Sequence, residues 1–432
     1  MNARFTRGIV AAAMVAVLEI APVTSEIHQP GPLDVTGEIN GAPFRIVVPA
    51  EWNGTLVEFV RGYVDKADHP GEVDNRNPTL PPLAVRNALL ARGYALAGSA
   101  RKSNGWSVEE GLDDVVALAS YFKDNVARPT STILWGNSGG TVITLKTAER
   151  SGGAFDGYLA TCAAGAGASR AWDQALVLRL AYDVTFGMPI SWGTPGDVRD
   201  DIDYESEVKP LLVAQAKDPA NFGGFEFIRL VTGFPGLGIT PPLGYYPVLG
   251  FDLALEAGQG PFYLVTEAQA ELERRAGGPI AQNITHTYAL TSAEKIYLAG
   301  LGVDADPLLE AMNARRDIAA PPESRNYLKH FADYSGLIKS PVLTVHSFLD
   351  PVAVVAHESA YRNTVAAADR DDLLVQVYVT GIGHCAITAD QIFTAIVAVD
   401  GWVRTQTRPP SSTFPAELGF IPGFVPPVWF QP

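Results

Sequence analysis

The chain contains few cysteines, which limits the kinds of site that it can build. Only 2 of its 432 residues are cysteines. This count excludes a disulfide-dense scaffold, and no Cys-x-x-Cys or Cys/His spacing resembles a structural zinc site. The sequence also lacks a phosphate-binding P-loop, a complete dinucleotide fingerprint, an HExxH helix and a calcium loop. We therefore expect neither a cofactor nor a metal ion.

Positive charge is in short supply as well. The chain has 32 lysine and arginine residues against 47 aspartate and glutamate residues, which gives a net charge of −15. Such a surface repels the phosphates of nucleic acids, so it excludes nucleic acid as a partner and disfavours strongly anionic substrates. The charge balance fits an uncharged substrate, either a small molecule or a polymer. The sequence does not indicate the oligomeric state.

Long apolar runs are scarce too, and after the N-terminus no segment reaches the roughly 20 residues of a membrane-spanning helix. The first 25 residues resemble a secretory signal peptide, because Arg4 and Arg7 precede an apolar run over residues 8–18. Small side chains at Val23 and Ser25 favour cleavage after Ser25. We therefore predict a secreted protein, extracellular or periplasmic, without a stable membrane span. A short N-terminal membrane anchor is the alternative interpretation.

Between residues 35 and 164, short apolar runs typical of buried strands alternate with amphipathic segments typical of helices. The predicted strands are residues 44–48, 56–60, 94–98, 131–135 and 157–163, and the predicted helices are residues 83–92, 107–122 and 141–148. The tetrapeptide Ser107-Val108-Glu109-Glu110 predicts a capping box at the start of the second helix. This alternation indicates a mostly parallel sheet with helices on both faces.

The alternation stops at about residue 165 and resumes near residue 341. Residues 165–335 instead contain helical and Pro/Gly-rich stretches with few convincing strands. We predict one α/β core, residues 26–164 and 336–432, with a mainly helical cap of residues 165–335 inserted between the sixth and seventh strand positions. Because insertions at the carboxyl ends of strands lie over the edge where open α/β sheets bind ligands, the cap should cover the site.

The most informative motif of the chain is the pentapeptide Gly136-Asn137-Ser138-Gly139-Gly140. It follows a predicted strand and precedes a predicted helix. A Gly-x-Ser-x-Gly turn in that setting is typical of a nucleophile elbow, in which a sharp turn exposes the serine hydroxyl. The motif alone is weak, since glycine and serine are common residues.

A serine hydroxyl needs a base to accept its proton and an acid to orient that base. Asp350 directly follows a predicted strand downstream of Ser138, and His384 follows the last one. Both side chains are thus expected at the carboxyl ends of successive strands, in the chain order serine, acid, histidine. The agreement of three separate placements is far more specific than the elbow alone.

With these residues in place, the chain resembles secreted α/β-hydrolases of the serine-esterase type over residues 35–165 and 338–405. The resemblance implies the α/β-hydrolase fold, with Ser138 as nucleophile, His384 as general base and acid, and Asp350 as the orienting carboxylate. It also implies that the backbone N–H of Gly139 stabilises the oxyanion. Many relatives carry His-Gly in the loop after the third strand, where this chain has Arg61 before Gly62. The amide of the following residue, Tyr63, is then the expected second donor.

Each assigned role has a structural alternative. Ser138 could be an ordinary turn serine, His384 a loop histidine, and Asp350 a helix cap before a proline. Asp333 and Asp390 are weaker candidates for the acid, because neither directly follows a strand. A further histidine, His346, lies within a predicted strand and is expected to pack beside the site rather than to act in it.

The two cysteines, Cys162 and Cys385, are both expected at the same edge of the sheet as His384. Tannases and feruloyl esterases pair a histidine-adjacent cysteine with one beside the nucleophile, and this chain resembles them in part. Asn137, not a cysteine, precedes Ser138 here. A Cys162–Cys385 disulfide that fixes the histidine loop is one interpretation, and two buried thiols are the other.

The resemblance implies an enzyme that cleaves carboxylic esters through an acyl-enzyme. An amidase or aminopeptidase-like peptidase, an acyltransferase and a non-catalytic binding protein remain alternatives. Aromatic side chains of the predicted cap either line an apolar substrate pocket or form the core of the cap itself. These side chains are Trp172, Trp192, Phe225, Phe227, Phe234, Tyr245, Tyr246, Phe262 and Tyr263.

Overall fold

The computed structural model describes residues 31–77, 79–150, 153–234 and 260–429. The predicted signal peptide lies outside these residues, as do Tyr245 and Tyr246 of the cap. No helix among the described residues has both the length and the apolar character needed to cross a membrane.

The centre of the molecule is an eight-stranded sheet with the order β1-β2-β4-β3-β5-β6-β7-β8. Only β2 runs against its neighbours, pairing antiparallel with both β1 and β4, while the other pairs are parallel. The strands are β1 (Leu33–Ile39), β2 (Ala42–Val48), β3 (Thr55–Val60), β4 (Ala95–Ser99), β5 (Ser131–Asn137), β6 (Gly157–Thr161), β7 (Val342–Leu349) and β8 (Leu374–Ile382). The predicted fold class, an α/β-hydrolase fold, is confirmed.

Helices cover both faces of this sheet, as the sequence pattern predicts. On one face α1 (Leu83–Leu90) and α12 (Ala389–Thr405) bury their apolar sides against the strands. On the other face lie α2 (Val108–Asn125), α3 (Gly140–Arg150) and α11 (Ala356–Ala367). Parallel strands between two helical layers are buried on both faces, which explains the near-continuous apolar runs in the sequence.

The predicted capping box at the start of α2 is wrong. Ser107 stands at the N-cap, but its side chain makes no capping hydrogen bond. Glu110 turns away from the cap and pairs with Arg275, while also accepting a hydrogen bond from Ser103 at 3.1 Å. The ion pair with Arg275 therefore replaces the expected capping hydrogen bond of Glu110. It connects α2 to the segment between β6 and β7.

The mainly helical insertion lies between the sixth and seventh strands, as predicted. Its helices are α4 (Ala168–Phe186), α5 (Lys209–Ala216), α6 (Phe222–Thr232), α7 (Gln269–Ala276), α8 (Ser292–Gly300), α9 (Ala305–Asn313) and α10 (Pro322–Phe331). They enclose a hydrophobic cluster of their own, in which Trp192, Phe225, Phe227 and Phe262 are buried. This cluster also packs against Tyr63 and Trp106 of the core, so the insertion lies over the carboxyl ends of the strands.

One buried carboxyl group of the sheet makes stability depend on pH. Glu58 of β3 is fully buried, and within the described residues both of its carboxylate oxygens lack a hydrogen-bond partner. Burial, assisted by the nearby charge of Asp114, raises the pKa of Glu58 well above its usual value of 4.5. When folding raises the pKa of a carboxyl group, the protein loses stability as the pH rises from the pKa of that group in the unfolded state toward its pKa in the folded state.

The Glu58→Gln variant should therefore gain stability over the wild type as the pH increases above about 4.5. The gain should approach about 1.4 kcal/mol for each pH unit in that window. Urea unfolding of both proteins at pH 5, 6 and 7 measures it. Curves whose separation does not change with pH would show that Glu58 ionises freely in the folded protein.

Candidate active site

The Gly136–Gly140 pentapeptide forms a tight turn between β5 and α3, and Ser138 lies at its apex. The backbone of Ser138 has a left-handed φ of 51°. Its N–H donates to the carbonyl of Thr161 at 3.0 Å, and its carbonyl accepts from the N–H of Thr141 at 2.8 Å. A non-glycine residue in this conformation is strained, and the neighbouring strand and helix hold it in place.

Both outer glycines of the turn are required by close packing. A Cβ on Gly136 would lie 2.2 Å from the Thr144 hydroxyl oxygen, and one on Gly140 would lie 2.3 Å from the carbonyl oxygen of Val60. Neither separation is compatible with a side chain. The two glycines therefore let the start of α3 approach β3 closely enough to form the turn.

We expect Gly140→Ala to destabilise the protein by about 3 kcal/mol, because the backbone around the turn must move to admit the methyl group. Denaturant unfolding measures the change. Gly401→Ala is the matched control, since a Cβ at this glycine of α12 meets no atom within 4 Å. An equal effect of both substitutions would contradict the packing argument.

Ser138, His384 and Asp350 form a continuous hydrogen-bonded chain. The hydroxyl oxygen of Ser138 lies 2.7 Å from Nε2 of His384. Nδ1 of the same ring lies 3.0 and 2.9 Å from the two carboxylate oxygens of Asp350. Since an ionised carboxylate can only accept, Nδ1 carries the proton and Nε2 is free to accept from the serine. The arrangement can deprotonate a serine hydroxyl.

The carboxylate of Asp350 is held by backbone amides. It is fully buried, and its Oδ1 accepts from the N–H groups of Val352 at 2.8 Å and Ala353 at 2.9 Å. Oδ2 accepts from the N–H of Cys385 at 3.1 Å. Burial raises the pKa of Asp350, but the charge and hydrogen bond of His384 and the backbone bonds outweigh it, so the net shift is downward. Asp350 is thus kept ionised.

The other polar candidates have different partners. Asp333 accepts hydrogen bonds from the backbone N–H and hydroxyl of Ser169 at 2.8 and 2.6 Å. Asp390 lies in the first turn of α12. His346 is fully buried and pairs with Glu358 at 3.2 Å. The buried position of His346 agrees with the expectation from the sequence that this histidine packs beside the site.

The structure joins Cys162 and Cys385 in a disulfide, with a Cα–Cα separation of 5.2 Å. Cys162 directly follows β6, and Cys385 directly follows His384, so the bond links the histidine loop to the strand next to the elbow. Asn137, the residue before Ser138, accepts from the hydroxyl of Thr161 at 2.9 Å. The loop that carries His384 is therefore bonded covalently to the end of the strand next to the turn that carries Ser138.

The four polar side chains that cluster around His384 are not suited to bind a metal ion. Potential ligand atoms of Cys162, Asp350, His384 and Cys385 lie within 4.8 Å of one another. The two sulfurs are bonded to each other, so neither offers the thiolate that a metal would bind. The remaining carboxylate and imidazole are already hydrogen-bonded together.

Gly139 and Tyr63, whose backbone amides are expected at an oxyanion site, lie close to each other beside Ser138. A Cβ on Gly139 would lie 3.0 Å from the backbone nitrogen of Tyr63, and one on Gly62 would lie 3.2 Å from the Cβ of Ser138. Within the described part of the chain, the N–H groups of Gly139 and Tyr63 donate to no acceptor. Both amides are thus available to a bound oxygen atom.

A cavity of about 770 Å³ opens over Ser138 and is lined mainly by apolar side chains. Of the aromatic residues expected there, Trp172, Phe234 and Tyr263 line it, whereas Trp192, Phe225, Phe227 and Phe262 belong to the core of the insertion. Sequence reasoning missed Trp106, Tyr327 and Phe331, which also line the cavity. No periodicity or motif marks these three positions, because distant segments bring them together.

No protein-family model matches the chain. A stretch of 127 residues, 29% of this chain, is 28% identical to the o-phthalyl amidase of Xanthobacter agilis and spans 25% of that enzyme. Similar solved structures include an esterase from Aspergillus oryzae, which shares 12% sequence identity with this chain. The match covers 87% of this chain and 80% of the esterase, with a TM-score of 0.43. Feruloyl esterase B from Aspergillus oryzae shares 14% identity over 88% of this chain and 80% of its own, with a TM-score of 0.41.

Proposed function

We propose that the protein is a serine hydrolase that cleaves carboxylic esters through an acyl-enzyme on Ser138. The observation that carries this proposal is the hydrogen-bonded chain from Ser138 through His384 to the buried Asp350, at the base of an apolar cavity. A nucleophile, a base in the correct tautomer and an orienting carboxylate are the groups that acyl transfer requires.

In the proposed first half-reaction, the Ser138 oxygen attacks the ester carbonyl carbon while its proton passes to Nε2 of His384. The carbonyl oxygen becomes an oxyanion, which the N–H groups of Gly139 and Tyr63 stabilise. The carbon–oxygen bond to the alcohol then breaks, and His384 donates its proton to the leaving alkoxide. An acyl-serine and a free alcohol result.

The second half-reaction repeats these steps with water. His384 accepts a proton from a water molecule, whose oxygen attacks the acyl carbon and forms a second oxyanion. The bond to Ser138 breaks, and the serine oxygen recovers the proton from His384. The products are the free carboxylic acid and the original enzyme, so no cofactor takes part in the proposed cycle.

The apolar, aromatic lining of the cavity supports an apolar or aromatic acyl or alcohol group in the substrate. Export fits this proposal, because the N-terminal pattern resembles a signal peptide and the disulfide suits an oxidising compartment. External aromatic esters, lactones, aliphatic esters and polyesters all remain candidate substrates.

Amide hydrolysis is the second candidate function, and the match to an amidase favours it. The same groups can cleave an amide if His384 protonates the leaving amine. An aminopeptidase needs acidic groups near the site to hold a substrate ammonium. Within the described residues, no aspartate or glutamate lines the cavity, which argues against that form of the alternative.

A matched pair of substrates separates the two functions. We expect p-nitrophenyl benzoate to be cleaved with a kcat/KM at least about 100-fold above that of N-(4-nitrophenyl)benzamide, which carries the same acyl group on 4-nitroaniline. Comparable turnover of the amide would favour the amidase instead. Absence of both activities, together with no labelling by a fluorophosphonate, would contradict a serine hydrolase of either kind.

A further inference from the structure

A buried arginine lies directly behind the loop that carries Tyr63. Arg101 follows β4, and Gly62 follows β3. Because these two strands are parallel neighbours in register, with Phe59 opposite Gly98, their following loops emerge at the same edge of the sheet. The guanidinium of Arg101 donates from Nη2 to the carbonyl oxygen of Gly62 at 3.0 Å.

This carbonyl belongs to the same peptide unit as the N–H of Tyr63. In a planar trans peptide the C=O and N–H point in opposite directions. A guanidinium that holds the oxygen of Gly62 on one side therefore aims the N–H of Tyr63 toward the other side. That nitrogen lies beside Gly139, where the second free amide is found.

The position of Arg101 is itself fixed. Its backbone has a left-handed φ of 64°, and its N–H donates to the hydroxyl of Ser99 at 2.9 Å. The side chain is only 4% exposed, and its Cδ lies 3.3 Å from where a Cβ on Gly111 of α2 would stand. Such confinement keeps the guanidinium pointed at one carbonyl.

Arg101 makes no ion pair with the other described residues, and its Nε also lacks a hydrogen-bond partner among them. Burial and the neighbouring Arg61 lower the pKa of Arg101 to about 10, so the group stays charged at neutral pH. An unpaired buried cation is costly to stability. A hydrogen bond from a cation also polarises the peptide group and strengthens its N–H as a donor.

We propose that Arg101 is a positioning residue for the oxyanion site, acting through the Gly62–Tyr63 peptide without touching the substrate. This inference rests on the proposed ester hydrolysis, because it assigns the origin of one oxyanion donor. Loss of the guanidinium leaves the nucleophile, base and acid in place but lets the peptide rotate. The defect should therefore appear in the transition state and not in substrate binding.

Kinetics of Arg101→Met and Arg101→Lys test this role. Removing an oxyanion donor outright costs about 100- to 1000-fold, so a misaligned donor should lower kcat by about ten- to a hundredfold with KM nearly unchanged. The lysine variant keeps a cationic donor of shorter reach and should be intermediate. A kcat of Arg101→Met within threefold of the wild type would overturn the proposal.

Arg179→Met is the matched control for the loss of a buried cation. Arg179 is 2% exposed and donates to the carbonyl of Pro195 at 2.7 Å and to that of Val265 at 3.0 Å, within the helical insertion. This variant should keep kcat within about twofold. If it lowers kcat as much as Arg101→Met does, the loss is a general effect of removing a buried guanidinium, and the positioning role is wrong.

A spectroscopic readout isolates the oxyanion itself. A carbonyl-¹³C-labelled aryl trifluoromethyl ketone adds to a reactive serine and forms a hemiketal, whose ionisation is followed by NMR as the pH changes. Ionisation in Arg101→Met should require a pH about one to two units higher than in the wild type, which matches the ten- to hundredfold kinetic loss. An unchanged midpoint would overturn the proposal. A wild type that neither forms the hemiketal nor cleaves esters would instead show that the proposed function has failed.

Discussion

Ser138→Ala should lower kcat for a p-nitrophenyl ester by at least about 10⁴-fold, because it removes the hydroxyl on which we propose that the acyl intermediate forms. The hydroxyl lies 2.7 Å from Nε2 of His384, so its removal leaves a base without a nucleophile. The cavity and the free amides of Gly139 and Tyr63 stay intact, and substrate binding should change little. Steady-state kinetics and equilibrium binding of a product acid measure the two effects separately.

The matched control for this substitution is Ser120→Ala. Ser120 is an exposed residue of α2 whose hydroxyl donates to the carbonyl of Val116 at 2.8 Å. Its kcat should equal that of the wild type. If Ser138→Ala kept a tenth or more of wild-type kcat, the nucleophile would have to be another group or a directly activated water.

Asp350→Asn should lower kcat by about 10⁴-fold. Two backbone N–H groups donate to Oδ1, so the amide oxygen of an asparagine must take that position. The NH₂ group then replaces Oδ2, where it faces Nδ1 of His384 and the N–H of Cys385. A donor at that point forces Nδ1 to accept and moves the ring proton to Nε2. The histidine can then no longer accept the proton of Ser138.

Asn substitutions at the rival acids serve as controls. Asp390→Asn, on the exposed start of α12, should keep wild-type kcat. Asp333→Asn loses one acceptor for Ser169 and should affect stability more than kcat. A loss of activity confined to Asp333→Asn, with Asp350→Asn active, would show that Asp333 and not Asp350 is the acid that orients His384.

Much of this architecture could be predicted because parallel strands buried on both faces leave a simple hydrophobic signature. The elbow and Asp350 each follow such a strand, His384 follows the partly buried edge strand β8, and the carboxyl ends of parallel strands meet at one edge. The edge strand β1 gave no such signal, since its side chains are mostly exposed and it is defined by antiparallel pairing with β2. Local sequence preference therefore predicts the buried strands at the centre of the sheet but not the edge strand β1.

The contacts that could not be predicted join residues that lie far apart in the sequence. Glu110 leaves its expected capping role because Arg275, far away in sequence, offers a stronger partner. The bond from Arg101 to the carbonyl of Gly62 has no sequence signature either, since any residue supplies a carbonyl. The sequence leaves the Cys162–Cys385 pairing as one of two interpretations, because only the folded chain brings the ends of β6 and β8 together. Such contacts depend on how distant segments pack together, which hydrophobic patterning does not encode.

Covalent labelling tests the central claim, that Ser138 is the nucleophile, most directly. After treatment with a fluorophosphonate, mass spectrometry of the intact protein and of its peptides should show a single adduct, located on Ser138. The Ser138→Ala protein should remain unlabelled under the same conditions. An adduct on a different residue, or a wild-type protein that stays unmodified while properly folded, would contradict the account.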